Sequence, residues 1–288
     1  MRALALHEDV LLVRSALLQV NCVIVRGGVS DEGTAAAPPE EVLRVVEHGT
    51  ERSEPAGETF VIDSPVLADE LDALPALIEQ ARFPAPSGLL ATHGDWDHLL
   101  GRLAFPEAAL GVAESTAERL GAAPGEAQRE LRTFDEELLI ERPRPLALGS
   151  VQALPVPGRL EVGDRELELH PTGGHTPDGM AVVIGWAGVL VCGDHLSSLE
   201  IPTLHDGGEA EPYLATLERL RTLLGAVDRV VPGHGPVLDS ARALVVLEED
   251  AAYLHALLEQ RGDAELPPGR RGKAQRELHA RNVAALRP

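Results

Sequence analysis

Short apolar runs broken by turns give way along the chain to longer segments of helical spacing. Residues 3–7, 10–14 and 20–26 are compact apolar runs that close at Gly27-Gly28 and predict three strands. Thr59-Phe60-Val61-Ile62 predicts a fourth, ending at Asp63. Over 67–82, Leu67, Leu71, Leu74 and Ile78 recur at helical spacing, and Pro75 is expected to kink that helix. The run 88–91 predicts a buried strand, followed past position 98 by a short helix and a strand near 108–112. Helices are predicted over 114–120 and, strongly charged, over 126–141. Residues 151–154, 159–162 and 165–169 predict the short strands of one meander, punctuated by Pro155 and Pro157. Strands 181–186 and 188–192 should meet at Ala187-Gly188, before a helix at 210–224, a strand at 229–231 and a long amphipathic helix at 239–261.

Two stretches lack this patterning. Residues 29–57 read as an exposed excursion between strands, with some strand character around Val42–Val46. Residues 263–288 read as a polar tail, broken by Pro267-Pro268-Gly269 before a last helix. One domain is therefore expected over 1–262, carrying an insertion at 29–57, and no repeat of fixed period is present.

Composition narrows the function classes. Hydrophobic residues make up 44% of the 288, enough for a sizeable core, while aromatics at 3% leave that core to Leu, Val, Ala and Ile. A formal net charge of −21 disfavours nucleic acid and anionic membranes as partners, because binding phosphate needs basic patches. Cys22 and Cys192 lie far apart in apolar runs, which excludes a disulfide framework and predicts two buried thiols. The first nine residues carry an apolar run too short for a signal peptide, and no window has the length of a membrane span. A cytoplasmic protein acting on a small molecule, with a homodimer left open, is the expectation.

The chemistry concentrates in Thr92-His93-Gly94-Asp95-Trp96-Asp97-His98, directly after the strand at 88–91. On an extended segment His93, Asp95 and Asp97 point the same way, and His98 joins them if the chain turns helical there. Imidazole and carboxylate are ligands for zinc, iron or manganese. The bland alternative is a polar loop whose Asp97 caps the next helix. Three later loops supply partners: His175 in Gly174-His175-Thr176-Pro177, Asp194 in Gly193-Asp194, and His234 in Pro232-Gly233-His234-Gly235. All four loops border predicted strands, which is how a rigid scaffold presents a site.

In order and spacing these four pieces resemble the metallo-β-lactamase superfamily, over roughly residues 10–250. The resemblance implies an αβ/βα sandwich of two mixed β-sheets flanked by helices, with one or two divalent metal ions at one edge, zinc first and iron or manganese as alternatives. It implies a first metal site of His93, residue 95 and His175, a second of Asp97, His98 and His234, and Asp194 bridging them. The departure is at 95, where the family most often has histidine. Asp95 makes the first site harder and resembles the flavodiiron branch, which carries glutamate there; the alternative is that Asp95 does not bind directly and the first site is weak or empty. The implied mechanism is hydrolysis by hydroxide generated at the cations, with Asp97 orienting the nucleophile and taking a proton, serving purely as a second-site ligand, or doing both. Asp63 resembles the acid that orients the ligand loops, and Thr92 could do similar work through its hydroxyl. His195 and His205 are weaker candidates for touching substrate, His170 reads as structural, and Trp96 as pocket wall or helix packing. The nearest branches, glyoxalase II-like and β-lactamase-like-protein-2-like, point to a small ester, thioester or lactone. An iron-dependent oxidoreductase of the same fold and a non-catalytic binding scaffold are the alternatives.

Overall fold

Alternation along the strands sorts the apolar residues into three cores. The computed structural model describes residues 2–28, 57–204, 208–260 and 264–286, so the insertion read at 29–57, its strand character at Val42–Val46 included, lies outside the described residues apart from Gly57. In β3 (Asn21–Gly27), Val23 and Val25 face one core while Cys22 and Ile24 face another. In β10 (Met180–Ile184), Val182 and Ile184 join the core that takes Val23, and Ala181 and Val183 face a third. Strands buried on both faces carry near-continuous apolar runs, and β10 and β11 (Val189–Val191) are buried at every position. Each fully buried Val or Leu contributes about 1.5–3 kcal/mol.

The two faces become layers through the sheet order. The first sheet runs β1 (Arg2–His7), β2 (Val10–Arg14), β3, β4 (Glu58–Ile62), β5 (Pro86–Leu90), β6 (Ala109–Ala113) and β7 (Val151–Leu154). It is antiparallel up to β4 and parallel from β4 to β7. The second sheet runs β13 (Leu238–Asp239), β12 (Arg229–Val231), β11, β10, β9 (Arg165–Pro171) and β8 (Gly158–Val162), with only β11 and β12 parallel. Ile62 and Leu90 from one sheet meet Leu169, Met180 and Val191 from the other. On the outer face of the first sheet lie α1 (Ala68–Gln80), α2 (Gly101–Ala104) and α4 (Glu126–Leu138), while α3 (Glu114–Ala122) sits beside β6 and β7. On the outer face of the second lie α5 (Ala210–Leu224), α6 (Ser240–Gln260) and α7 (Lys273–Ala285). The result is an αβ/βα sandwich of two mixed sheets.

Two local expectations change. The meander divides: β7 pairs with β6 at the edge of the first sheet, whereas β8 and β9 belong to the second. Pro155 and Pro157 stand between them, and neither has an N–H to continue a ladder. Helix α1 runs through Pro75 as a single element, with Leu71, Leu74 and Ile78 buried on one face and Pro75 exposed. The polar stretch after α6 turns its polar groups inward. Arg270 is buried and donates to Ser197 O (3.1 Å), Glu200 O (2.8 Å), Glu249 Oε2 (3.0 Å) and Asp250 Oδ1. Gln275 Oε1 accepts Ile201 N–H at 2.8 Å, and buried Asn282 accepts Leu204 N–H at 3.0 Å while donating to Pro202 O at 2.7 Å. Among the described residues no helix is long and apolar enough to cross a membrane.

Burial pushes the Asp250 carboxyl up to about 7 even with Arg270 opposing the shift. Arg270→Ala strands that acid without its partner and should lower the unfolding free energy by about 3–5 kcal/mol. Urea unfolding checks this, and adding Asp250→Asn should recover part of the loss. A change below about 1 kcal/mol would mean that the buried pair does not hold the segment down.

Candidate metal centre

The seven residues singled out by the four loops converge at one end of the sandwich. β5 ends at Leu90 and releases the chain into a non-extended loop, which closes with a 3-10 turn over Trp96–His98. That turn brings His98 round beside His93, their ring centroids 4.2 Å apart. Asp194 follows β11, His234 follows β12, and His175 lies between β9 and β10. Asp194 occupies the middle. Its Oδ1 is 3.2 Å from His98 Nε2, and its Oδ2 is 3.8, 3.4 and 3.2 Å from Nε2 of His93, His175 and His234. Asp95 Oδ2 lies 3.5 Å from His93 Nε2 and 3.3 Å from His175 Nε2. Asp97 Oδ2 lies 3.4 Å from His234 Nε2 and 3.9 Å from His98 Nε2. Two groups that share no residue result, His93–Asp95–His175 and Asp97–His98–His234, each with ligand atoms close enough to share one ion, and His93, His98 and Asp194 form a third such set across them.

All four imidazoles are oriented from behind through Nδ1. His175 Nδ1 faces Thr203 O at 3.1 Å, and His234 Nδ1 faces Leu18 O at 2.9 Å. A carbonyl can only accept, so each Nδ1 carries a proton there and Nε2 is the nitrogen turned to the centre. Asp63 does the same for the opening motif. Its Oδ1 accepts Thr92 N–H at 2.8 Å, and its Oδ2 accepts the Thr92 hydroxyl at 2.9 Å and lies 2.9 Å from His98 Nδ1. Thr92 Oγ1 is in turn 3.1 Å from His93 Nδ1. Asp63 holds these contacts from a left-handed φ of 56°, a region Asp enters more readily than most residues. Gly233 is required by close approach, since a Cβ there would lie 1.9 Å from Asp194 Oδ1.

The donor set fits a divalent metal. Buried His93 Nε2, His98 Nε2 and Asp194 Oδ1 have no hydrogen-bond partner, an arrangement costly to keep unless something else satisfies them. Four imidazole nitrogens and three carboxylates suit zinc, iron or manganese. Burial opposes ionisation of Asp95 and Asp194, but the surrounding histidines outweigh it and hold both carboxyls well below the ordinary range. Burial likewise opposes charge on His98 and His234, yet Asp63 and Asp194 raise the first well above its usual value, and Asp194 lifts the second to about 10.

The remaining candidates separate. Asp63 and Thr92 stand directly behind the ligand set, as described. His195 is buried, its Nδ1 3.2 Å from Cys192 O and its ring centroid 4.6 Å from that of Tyr213. Burial and the neighbouring His175 push it down to about 3, a neutral imidazole. His205 lies outside the described residues. His170 sits on β9 beside Glu168, and Trp96 packs on Phe134 of α4 with ring centroids 4.5 Å apart. Four contributors escaped the sequence reading: the carbonyls of Leu18 and Thr203, and Arg119 and Asp178, which face Asp95 and Gly94 respectively. Asp178 stands three residues past His175 and could have been suspected. Backbone carbonyls and an arginine on a separate helix leave no motif to read.

In the metal-free protein the neighbouring carboxylates favour a proton on the Nε2 atoms of His98, His175 and His234, where an ion would displace it. Loading should therefore release protons, and affinity should fall as pH is lowered below the raised values of His98, His175 and His234. Calorimetric titration with Zn²⁺ at pH 7, in buffers of different ionisation enthalpy, should report net proton release. Identical heats in all buffers would contradict it.

Comparisons with known proteins agree with this fold. Residues 55–234 match the family model of the metallo-beta-lactamase superfamily. No curated protein sequence matches the chain. Among solved structures, the metallo-beta-lactamase family protein TTHA1429 from Thermus thermophilus aligns with a TM-score of 0.62 at 22% identity, over 88% of this chain and 82% of that one. A beta-lactamase domain protein from Burkholderia ambifaria aligns with a TM-score of 0.61 at 16% identity, over 99% and 86% of the two chains. TTHA1623, solved in a di-iron-bound form, aligns with a TM-score of 0.55 at 21% identity, over 81% and 96%. With its αβ/βα sandwich and its two His/Asp groups at one sheet end, the chain belongs to the metallo-β-lactamase superfamily, whose members are generally metal-dependent hydrolases.

Proposed function

We propose that the protein hydrolyses a small ester, thioester or lactone at a centre of two divalent ions, with His93, Asp95 and His175 on one ion, Asp97, His98 and His234 on the other, and Asp194 between them. The observation that carries the reading is the convergence of four Nε2 atoms and three carboxylates from separate loops, with buried donor and acceptor atoms left unsatisfied. When bound, such ions acidify a water and polarise an electrophile.

The chain supplies position, exclusion of water and proton handling. Asp194 faces all four Nε2 atoms and fixes the spacing of the two groups. Asp97 lines an open cavity of about 410 Å³ together with Asp95, Trp96 and the α4 residues Arg129, Phe134 and Glu137. Substrate enters here, its apolar part against the Trp96–Phe134 pair, which keeps water from that side of the scissile group. Asp97 lines this cavity and its Oδ2 lies 3.4 Å from His234 Nε2, a position from which it accepts the proton of the nucleophile and returns it to the leaving group. The cavity is small and its α4 wall carries Glu130 and Glu137, which suits a compact substrate over a polyanion.

Iron-dependent redox chemistry is the second reading. It rests on Asp95, a hard ligand at the first group, and on the fold likeness to a protein solved in a di-iron-bound form.

Asp97→Asn should lower kcat by about 10²- to 10⁴-fold while retaining most metal, whereas Asp194→Asn should lose metal and activity together. Metal content by mass spectrometry and hydrolysis of an ester, thioester and lactone panel measure this, with oxygen uptake followed separately. Oxygen uptake without hydrolysis would overturn the hydrolase assignment. Trp96→Ala should raise KM more than it lowers kcat, because it removes a contact made equally in ground and transition states. A kcat-only effect would remove Trp96 from the substrate wall.

A further inference from the structure

Arg119 belongs to none of the four ligand loops, yet it reaches the centre from α3. Its side chain is 15% exposed, and its guanidinium spans two carboxylates, with Nη2 2.8 Å from Asp95 Oδ1 and Nη1 2.8 Å from Asp178 Oδ1. Asp178 is buried and is itself held, its Oδ2 accepting Gly94 N–H at 2.9 Å. A Cβ at position 94 would lie 3.2 Å from Asp178 Oδ2 and 3.4 Å from Arg119 Nη1, so the bare glycine backbone lets this clamp close around the motif. The two oxygens of Asp95 are thereby divided. Oδ1 belongs to Arg119, and Oδ2 faces His93 and His175.

Charge gives the division a consequence. Asp63, Asp95, Asp97, Asp178 and Asp194 crowd one end of the fold, and among the described residues Arg119 is the one arginine or lysine ion-paired with any of them. With neutral imidazoles, these five carboxylates are balanced by Arg119 and two divalent ions. Arginine keeps its proton at any working pH, so its hold on Asp95 is permanent. A guanidinium on one oxygen and an ion on the other draw on a single negative charge, and each weakens the other's attraction.

Resting on the reading of this cluster as a metal centre, we propose that Arg119 is a positioning residue that competes with the ion of the His93–Asp95–His175 group for Asp95. It limits Asp95 to one oxygen and makes that group the weaker of the two ion sites. A histidine at position 95 would offer Arg119 no charge to hold, so the competition exists only with the carboxylate.

The test is a double-mutant cycle read by metal binding. Wild type, Arg119→Met, Asp95→His and the double variant are stripped of metal and titrated with Mn²⁺ and Zn²⁺ by calorimetry, and bound metal is counted by mass spectrometry. Wild type should bind two ions with unequal affinity. Arg119→Met should tighten the weaker step by about tenfold or more in the Asp95 protein and change it by less than about threefold in the Asp95→His protein. Arg119→Gln keeps a donor for Asp178 without the charge and should tighten the weaker step as well, which preserves the test should the Met variant not fold. A looser weaker step, or an equal change in both backgrounds, overturns the proposal, because a clamp that only shapes the Gly94 loop acts alike whatever stands at 95. Wild-type protein that takes up no stoichiometric metal overturns the metal-centre reading itself, and this proposal with it.

Discussion

Three carboxylates and four imidazoles packed within a few ångströms, and largely out of water, form an arrangement that cannot stand unsupported. Asp95, Asp97 and Asp194 repel one another at this distance, and positive charge nearby must offset that repulsion. Much of the fold answers that constraint. The sheets end at the same edge, so that loops after β5, β11 and β12 deliver their acids and histidines from fixed starting points. Asn21 ties the two sheets together there, its Nδ2 donating to Pro232 O and Gly235 O at 2.8 Å each, on either side of His234. Behind the ring of Nε2 atoms stands an outer ring of acceptors, Thr92, Asp63, Thr203 O and Leu18 O, which fixes every imidazole in one orientation.

The outer ring also explains why distant parts of the chain bear on the centre. Thr203 lies in the loop 197–204, and that loop has no regular structure of its own. Arg270 takes the carbonyls of Ser197 and Glu200, Gln275 takes Ile201 N–H, and Asn282 takes Leu204 N–H and Pro202 O. The C-terminal segment therefore sets the position of the carbonyl that orients His175. Tyr213 adds a second brace from α5, its hydroxyl donating to Asp194 O at 3.1 Å. Precision at a metal centre depends on such supports as much as on the ligands, because an imidazole free to turn about its Cβ loses most of its value as a ligand.

Much of this was legible from residue order alone. Strands such as β3 and β10 announce themselves because apolar side chains buried on both faces leave a dense, short run bounded by turn residues. The ligand loops were legible because histidine and aspartate at such spacing rarely serve a purely structural end, and because His93–His98, His175, Asp194 and His234 follow one another in the order the resemblance requires. Asp63 could be suspected from its place at a strand end. Arg119, by contrast, sits on a helix whose sequence, Glu114–Ala122, reads as an ordinary charged surface segment. The C-terminal stretch read as a tail because Arg270, Gln275 and Asn282 are polar, and polarity ordinarily means exposure.

By itself the sequence determined most of the elements, their apolar faces and the candidate metal-binding side chains, since each depends on residue type and local periodicity. Tertiary structure decided what local pattern cannot encode. It placed β7 in one sheet and β8 in the other, turned Arg270 and Asn282 inward, and set Leu18 O and Thr203 O behind His234 and His175. It also gave Asp95 a second partner in Arg119. Those outcomes rest on distances between residues far apart in the chain, and a backbone carbonyl or a long flexible side chain carries no sign in the sequence of what it will meet.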